Sequence, residues 1–245
     1  MSTLDFEDFT RRIEEDLREV VNLSYYENHK KNYPKSEFLY MGVPAAEVRR
    51  IAKKYLKQLK DRRIRDVEII LDFCTKLQQK KISEFRTIAI QWSFQYRKQL
   101  KSKHFDLLEE WLDKYVTSWG SCDNLCVSTL GYFLCKFPEY IPRVKQWVTS
   151  PKPMIRRASA VSFIFSLRRG RYLEHIFDIA DALLTDEEDL VLKGYGWMLK
   201  EATKRFQDEV YDYVIKNKAK MPRVSLRYAI EKMPQDMRKK AMTRD

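Results

Sequence analysis

Apolar residues return every three to four positions along almost the whole chain, and that spacing leaves little room for anything but α-helices. Leu4, Phe6, Phe9, Ile13, Leu17 and Val20 form one such stripe. Val48, Ile51, Ala52, Tyr55, Leu56 and Leu59 form a second, and Val67, Ile70, Leu71, Cys74 and Leu77 a third. Phe85, Ile88, Ala89 and Trp92 continue the pattern. Each is the one-sided face that an amphipathic helix buries. No Asn-Gly or Asp-Gly hairpin turn appears, no long alternating run appears, and 245 residues contain only 6 glycines. A strand-rich or loop-rich fold is therefore excluded.

The breaks between stripes are short. Pro44 sits where a helix starts, with Glu47 in its first turn. Pro138 and Pro142 bracket a connector, and Pro151 with Pro153 marks another break. Gly170 is expected to end a helix over 154–169, with Arg168 and Arg169 in its last turn. Thr185 with Glu188 reads as a capping box opening the helix that carries Trp197. Pro222 separates two late helices. The expected fold is all-α, with about twelve helices joined by short loops that favour antiparallel neighbours. Stacked helix pairs with a loose period of ~40 residues, as in HEAT-like repeats, form a superhelical solenoid; a compact bundle is the competing arrangement. No linker or low-complexity tract divides residues 1–245, so a single domain is expected.

Lys and Arg number 47 against 35 Asp and Glu, a net charge of +12. Such a surplus points to a polyanion such as nucleic acid. The basic residues also group. Arg49, Lys53, Lys57 and Lys60 line one face of a helix, followed by Arg62, Arg63 and Arg65. Arg97, Lys98, Lys101 and Lys103 end another helix, and Lys152, Arg156 and Arg157 begin a third. Together they suit salt-sensitive contacts to phosphate without sequence readout. No stretch approaches the ~20 apolar residues of a membrane span, and the acidic, amphipathic N-terminus is unlike a signal peptide. A cytoplasmic protein is expected, its four cysteines (Cys74, Cys122, Cys126 and Cys135) reduced. Cys122 and Cys126 share a helix face but lack further ligands nearby, and His29, His104 and His175 stand apart, so no metal site is expected.

Four residues carry the chemistry. Trp119 and Asp123, four apart, place a ring and a carboxylate on one helix face. Arg157 follows Pro151 and Pro153. Trp197 follows Gly194 and Gly196, where the missing side chains permit close approach to the backbone. Two aromatic walls, a carboxylate and a guanidinium suffice to grip a nucleotide and break a bond in it.

Ser118-Trp119-Gly120-Ser121-Cys122-Asp123 resembles the W-D-x-x-D region of the HEAT-like-repeat DNA alkylation-repair glycosylases (AlkD-like). Phe38 to Pro44, followed by Arg49, resembles that family's F-L-G-V-x-x-P-x-x-R region. Arg156-Arg157-Ala158-Ser159-Ala160-Val161 resembles its R-R-A-A-I helix start, and Lys193 to Glu201 its K-A-I-G-W-x-L-R-E helix. The ordered set is more specific than any one motif. The resemblance implies a C-shaped superhelix of antiparallel helix pairs with a concave basic face. It also implies excision of cationic N3- and N7-alkylpurines from double-stranded DNA, without cofactor or metal and as a monomer. Carried over by position, Asp123 matches the catalytic carboxylate, Trp119 and Trp197 the aromatic pair flanking the deoxyribose, and Arg157 the arginine on the phosphate backbone. Arg156, Lys193, Arg49 and Lys53 join the expected DNA-binding set, as does Tyr25 or Tyr26. Three departures stand out. Gly120 replaces the first Asp of W-D-x-x-D, Lys200 replaces the usual Arg, and extra residues separate His29 from Phe38.

These residue types suit that reaction. A cationic purine leaves as a neutral base, so no general acid is required. One carboxylate stabilises the developing oxocarbenium ion and orients water, and aromatic faces favour cations by about 0.5–2 kcal/mol. Two other functions fit the sequence in part: a non-catalytic repeat protein binding damaged or branched DNA, which has no use for Asp123, and a protein scaffold, which has no use for the charge.

Overall fold

The structure, a computed structural model, describes residues 5–32 and 38–243. Leu4, at the start of the first stripe, and residues 33–37, part of the extra stretch after His29, lie outside the described residues. The fold is all-α; the extended pairing within the described residues is a single bridge between Leu39 and Ile82. The chain forms two compact units, residues 1–104 and 105–245. No helix among the described residues is long and apolar enough to cross a membrane.

The first unit contains α1 (Phe6–Glu19), α2 (Leu23–Asn32), α3 (Ala45–Asp61), α4 (Val67–Gln79) and α5 (Ser83–Gln95). Asp5 caps α1 by accepting the Glu7 amide, and Asp66 caps α4 by accepting that of Glu68. The stripes read from the sequence form its core. Phe9, Ile13 and Leu17 of α1 are buried, as are Ile51, Tyr55 and Leu59 of α3, Ile70 and Cys74 of α4, and Phe85, Ile88 and Trp92 of α5. Two buried side chains tie the helices by polar ends. The Trp92 indole donates to the Ala52 carbonyl at 2.9 Å, and the Tyr55 hydroxyl to that of Arg12 at 2.7 Å. Buried Glu84 accepts the backbone N–H groups of Met41, Gly42 and Val43 at 3.1–3.2 Å. Gly42, at φ +90°, packs where a side chain would strike Tyr26, so this carboxylate fixes the loop that backs α2.

The second unit contains α6 (Phe105–Tyr115), α7 (Trp119–Leu125), α8 (Gly131–Lys136), α9 (Ile141–Gln146), α10 (Pro153–Val161), α11 (Ile164–Leu167), α12 (Leu173–Ala182), α13 (Asp189–Ala202), α14 (Gln207–Asn217), α15 (Arg223–Ile230) and α16 (Gln235–Met242). A π-helical turn, Cys126–Leu130, joins α7 to α8. Helix α7 packs on α10, α10 on α13, and α13 on α15. These four helices begin 34, 36 and 34 residues apart, shorter than the expected ~40. Polar bonds between successive repeats keep the same step. Arg157 meets Asp123 across 34 residues, Arg168 meets Glu201 across 33, Tyr213 meets Asp181 across 32, and Lys200 meets Glu231 across 31.

Several boundaries differ from expectation. The run 154–169 is not one helix. Its ladder tightens to three-residue bonds from the amides of Phe163 and Ser166, next to where Gly131 of α8 sits against the Ser162 carbonyl, and it resumes as α11. Thr185 caps nothing. Helix α13 opens at Asp189 after extended Glu188, and the Glu188 amide is taken by Asp186 instead. Pro142 lies in the first turn of α9 rather than in a connector. The cations Arg97 to Lys103 follow α5 in short 3-10 turns, since α5 ends at Gln95.

Helices α13 and α15 meet closely at Gly196. A Cβ there would lie 2.8 Å from Tyr228 Cβ and 2.9 Å from the Ser225 carbonyl oxygen. Alanine favours a helix over glycine by about 1 kcal/mol, but overpacking here costs about 1–3 kcal/mol. Gly196→Ala is expected to lower the urea midpoint, because backbone on α15 must move; a raised midpoint would show that α13 and α15 separate freely.

Candidate functional site

Helix α7 begins in a reciprocal cap. Ser118 accepts the Ser121 amide at 3.3 Å, and the Ser121 hydroxyl accepts the Ser118 amide at 3.1 Å. This cap fixes the first turn and sets Trp119 at its start, 44% exposed where Trp92, Trp111 and Trp147 are buried. One turn on, Asp123 faces the same way. Gly120 between them has open space where a side chain would stand, so an aspartate there would meet solvent.

Helix α10 supplies Arg157, only 5% exposed. Its Nε lies 2.8 Å from Asp123 Oδ1 and its Nη2 2.9 Å from Oδ2, a bidentate pair, while Nη1 donates to the Leu190 carbonyl of α13. Gly194 makes this route available, since a Cβ there would lie 3.0 Å from Arg157 Cγ. Burial works against the charge on Arg157, but the hydrogen bonds and charge of Asp123 prevail and raise its pKa. The resemblance put this guanidinium on phosphate. In the folded chain it is committed to Asp123 and to the α13 backbone, because the gap left by Gly194 draws it inward.

Helix α13 brings Trp197, half-buried, with its indole N–H donated to Glu201 at 3.1 Å. Glu201 also accepts from Arg168 at 2.9 Å and Lys204 at 2.6 Å. Burial pushes the Glu201 carboxyl up, yet these donors hold it down at about 2. Trp119, Asp123, Arg157, Leu190, Lys193, Trp197, Lys200 and Tyr228 line one cavity of about 420 Å³. Its lysines are engaged: Lys193 pairs with Asp189, and Lys200 with Glu231 at 3.0 Å. The walls are thus aromatic, one carboxylate faces the space, and its cations are neutralised from behind. An ionised carboxylate has about four acceptor positions, and Arg157 uses two, so Asp123 keeps acceptor capacity for a guest.

The structure therefore gathers Trp119, Asp123, Arg157, Lys193 and Trp197. Arg156 stands outside the cavity, paired with Asp186 at 2.6 Å and 3.0 Å. Lys152 is paired with Asp113. The expected basic cluster at the start of α10 is thus consumed by carboxylates. Tyr25 and Tyr26 are exposed on α2 of the first unit. Arg49 and Lys53 belong to α3 there and line a groove of about 550 Å³ with Lys57, Lys60, Trp92 and Phe94. Arg49 and Lys53 pair with no carboxylate among the described residues. Cys122 and Cys126 are buried with sulfurs 4.0 Å apart, and burial raises the Cys122 thiol. Among the described residues no cluster of His, Cys, Asp and Glu is arranged to hold a metal ion.

Sequence reasoning missed Tyr228 and Leu190, and it treated Lys200 and Glu201 only as parts of a motif. Glu201 lies four residues after Trp197, a spacing that signals contact on a helix. Tyr228 carried no signal, because it reaches the cavity only through the α13–α15 contact.

A family model described as DNA alkylation repair enzyme matches residues 13–233. No protein of curated function matches the chain. Among solved structures, a predicted DNA alkylation repair enzyme from Enterococcus faecalis superposes with a TM-score of 0.74 at 16% identity, covering 88% of this chain and 97% of that one. The smu.31 protein from Streptococcus mutans UA159 superposes with a TM-score of 0.54 at 22% identity, covering 76% of this chain and 96% of its own. Both likenesses are of fold.

Glu201 makes the site's stability depend on pH. Its carboxyl titrates near 4.3 in an unfolded chain and at about 2 when folded. Its stabilisation is present above the unfolded value and is lost as pH falls toward about 2. Urea unfolding across this range is expected to show a steeper acid loss in the native chain than in Glu201→Gln; parallel curves would mean that the ion network does not form.

Proposed function

The chain belongs to the DNA alkylation repair enzyme family, and we propose that it is a DNA glycosylase that hydrolyses the N-glycosidic bond of cationic N3- and N7-alkylpurines in duplex DNA. The observation that carries this reading is Asp123, clamped in plane by Arg157 within a cavity walled by Trp119 and Trp197.

An alkylated purine cation takes the bonding electrons with it and departs neutral. The barrier lies in the positive charge that grows on the sugar. Asp123 is suited to face C1′, where its remaining lone pairs stabilise that charge and hold the attacking water. Trp119 and Trp197 add attraction for a cation of about 0.5–2 kcal/mol each, depending on desolvation. Lys193 and Lys200, each matched to a carboxylate, do not oppose it. Arg157 then acts by orienting Asp123. This mechanism calls on no metal or cofactor, because the leaving group needs no acid.

Contact with the phosphate backbone falls to cations that the protein leaves unmatched. In the second unit these include Arg227, Arg238 and Lys239, exposed around a groove of about 600 Å³ that shares Tyr228 with the cavity and pairs them with no carboxylate among the described residues. In the first unit they include Arg49 and Lys53. We take residues 1–245 as one HEAT-like repeat domain acting as a monomer on duplex DNA.

Purified protein is expected to release 7-methylguanine or 3-methyladenine from methylated duplex DNA and leave an abasic site. Asp123→Asn should slow release by about 100-fold or more while duplex affinity stays within a few-fold; undiminished release would remove Asp123 from the mechanism. Salt dependence separates the basic residues. Arg238→Ala is expected to reduce the slope of log affinity against log salt by about one. Arg157→Ala should leave the slope unchanged and lower release, and a slope reduced by one would return Arg157 to the phosphate.

A further inference from the structure

We propose that Glu201 is a positioning residue that sets both the orientation and the electron density of the Trp197 indole, so that the cavity favours a cationic sugar over a neutral one. The proposal rests on the base-excision reading above and adds to it a residue that need not touch DNA.

Glu201 lies one turn after Trp197 on α13 and is 5% exposed. One oxygen accepts the indole N–H at 3.1 Å; the other accepts Arg168 and Lys204. With both oxygens engaged the carboxylate has no freedom to swing, and the indole it holds is fixed in turn. Neutralising Arg168 and Lys204 does not explain why Glu201 is buried. Their side chains are 42% and 48% exposed, and solvent would serve them. The indole is the partner that needs a buried acceptor.

A carboxylate that accepts an indole N–H polarises that bond and pushes electron density into the ring. A richer ring face attracts a cation more strongly, and hydrogen bonds in a low-dielectric setting strengthen through such polarisation. Held at about 2, the carboxylate stays charged across the neutral range, so this effect does not fade near pH 7. Trp119 differs. It is exposed, and its indole N–H has no partner among the described residues, so only one wall is tuned.

The test compares two duplexes that differ at one residue: a pyrrolidine sugar mimic, cationic at neutral pH, and a neutral tetrahydrofuran abasic analogue. Wild-type protein is expected to prefer the cationic duplex. Glu201→Gln, which retains a hydrogen-bond acceptor but loses the charge, should cut that preference by about threefold or more, with tetrahydrofuran affinity unchanged. In the free protein, the Trp197 indole N–H proton resonance should move upfield in Glu201→Gln, a signature independent of any DNA. Replacing Trp197 by 3-benzothienylalanine, which keeps the ring shape and removes the N–H, should cut the preference as much without disturbing the ion network, so the outcome does not depend on how Glu201→Gln folds. In that background Glu201→Gln should have no further effect. An undiminished preference in both variants, with alkylpurine release intact in wild type, would overturn the role of Glu201 alone. An equal drop from Glu201→Gln with the N–H already gone would also overturn it, since the charge would then act directly. Absence of any preference in wild type would sink the base-excision reading itself.

Discussion

The pair between Asp123 and Arg157 is the contact on which the second unit's architecture turns. It joins α7 to α10, and the third guanidinium bond reaches the backbone of α13, so one side chain locks three successive helices of the stack. A buried ion pair adds little net stability, because desolvation offsets its attraction, yet removing one partner strands a charge and costs about 3–5 kcal/mol. Such a contact is poor glue and a precise clamp. It explains why a carboxylate sits at the rim of an aromatic cavity in a defined plane, and why a chain rich in cations leaves that cavity nearly neutral.

The cations fall into two populations. Those near the cavity (Arg156, Arg157, Lys193 and Lys200) are matched to acids of the same or the next repeat. Arg227 of α15, Arg238 and Lys239 of α16, and Arg49 and Lys53 of α3 pair with no carboxylate among the described residues. The matched set holds shape, and the unmatched set carries the field that a polyanion meets. A net charge of +12 therefore says less about any one basic residue than the pairing does.

Much of the fold was legible in the sequence, because the stripes at Val48–Leu59 or Phe85–Trp92 fix helix and buried face together. The central residues of the site were legible through Trp119-x-x-x-Asp123 and the glycines before Trp197. What spacing could not reveal was which repeat faces which. Arg157 looked free because its partner lies 34 residues away on another helix. The continuous apolar pattern over 154–169 hid a break at Ser162 and Phe163, beside which Gly131 packs, and Thr185 followed by Glu188 resembled a cap that the extended backbone at Glu188 does not use. Tyr228 entered through packing alone. Gly194 and Gly196 did foretell close approach, but what approaches is the protein's own Arg157 and α15 rather than a guest.

Those two glycines sit on nearly opposite sides of one helix, and each admits a neighbour where a methyl group would stand. The helix bearing Trp197 is therefore held tightly between the Arg157 side chain of α10 and Ser225 and Tyr228 of α15. The breadth of the space in front of the indole thus depends on two absent methyls, which admit the lining residues Arg157 and Tyr228 so close to α13. A relative carrying alanine at either position would keep every wall residue and still hold its walls differently, so the width of the cavity would vary among such proteins while its lining stayed the same.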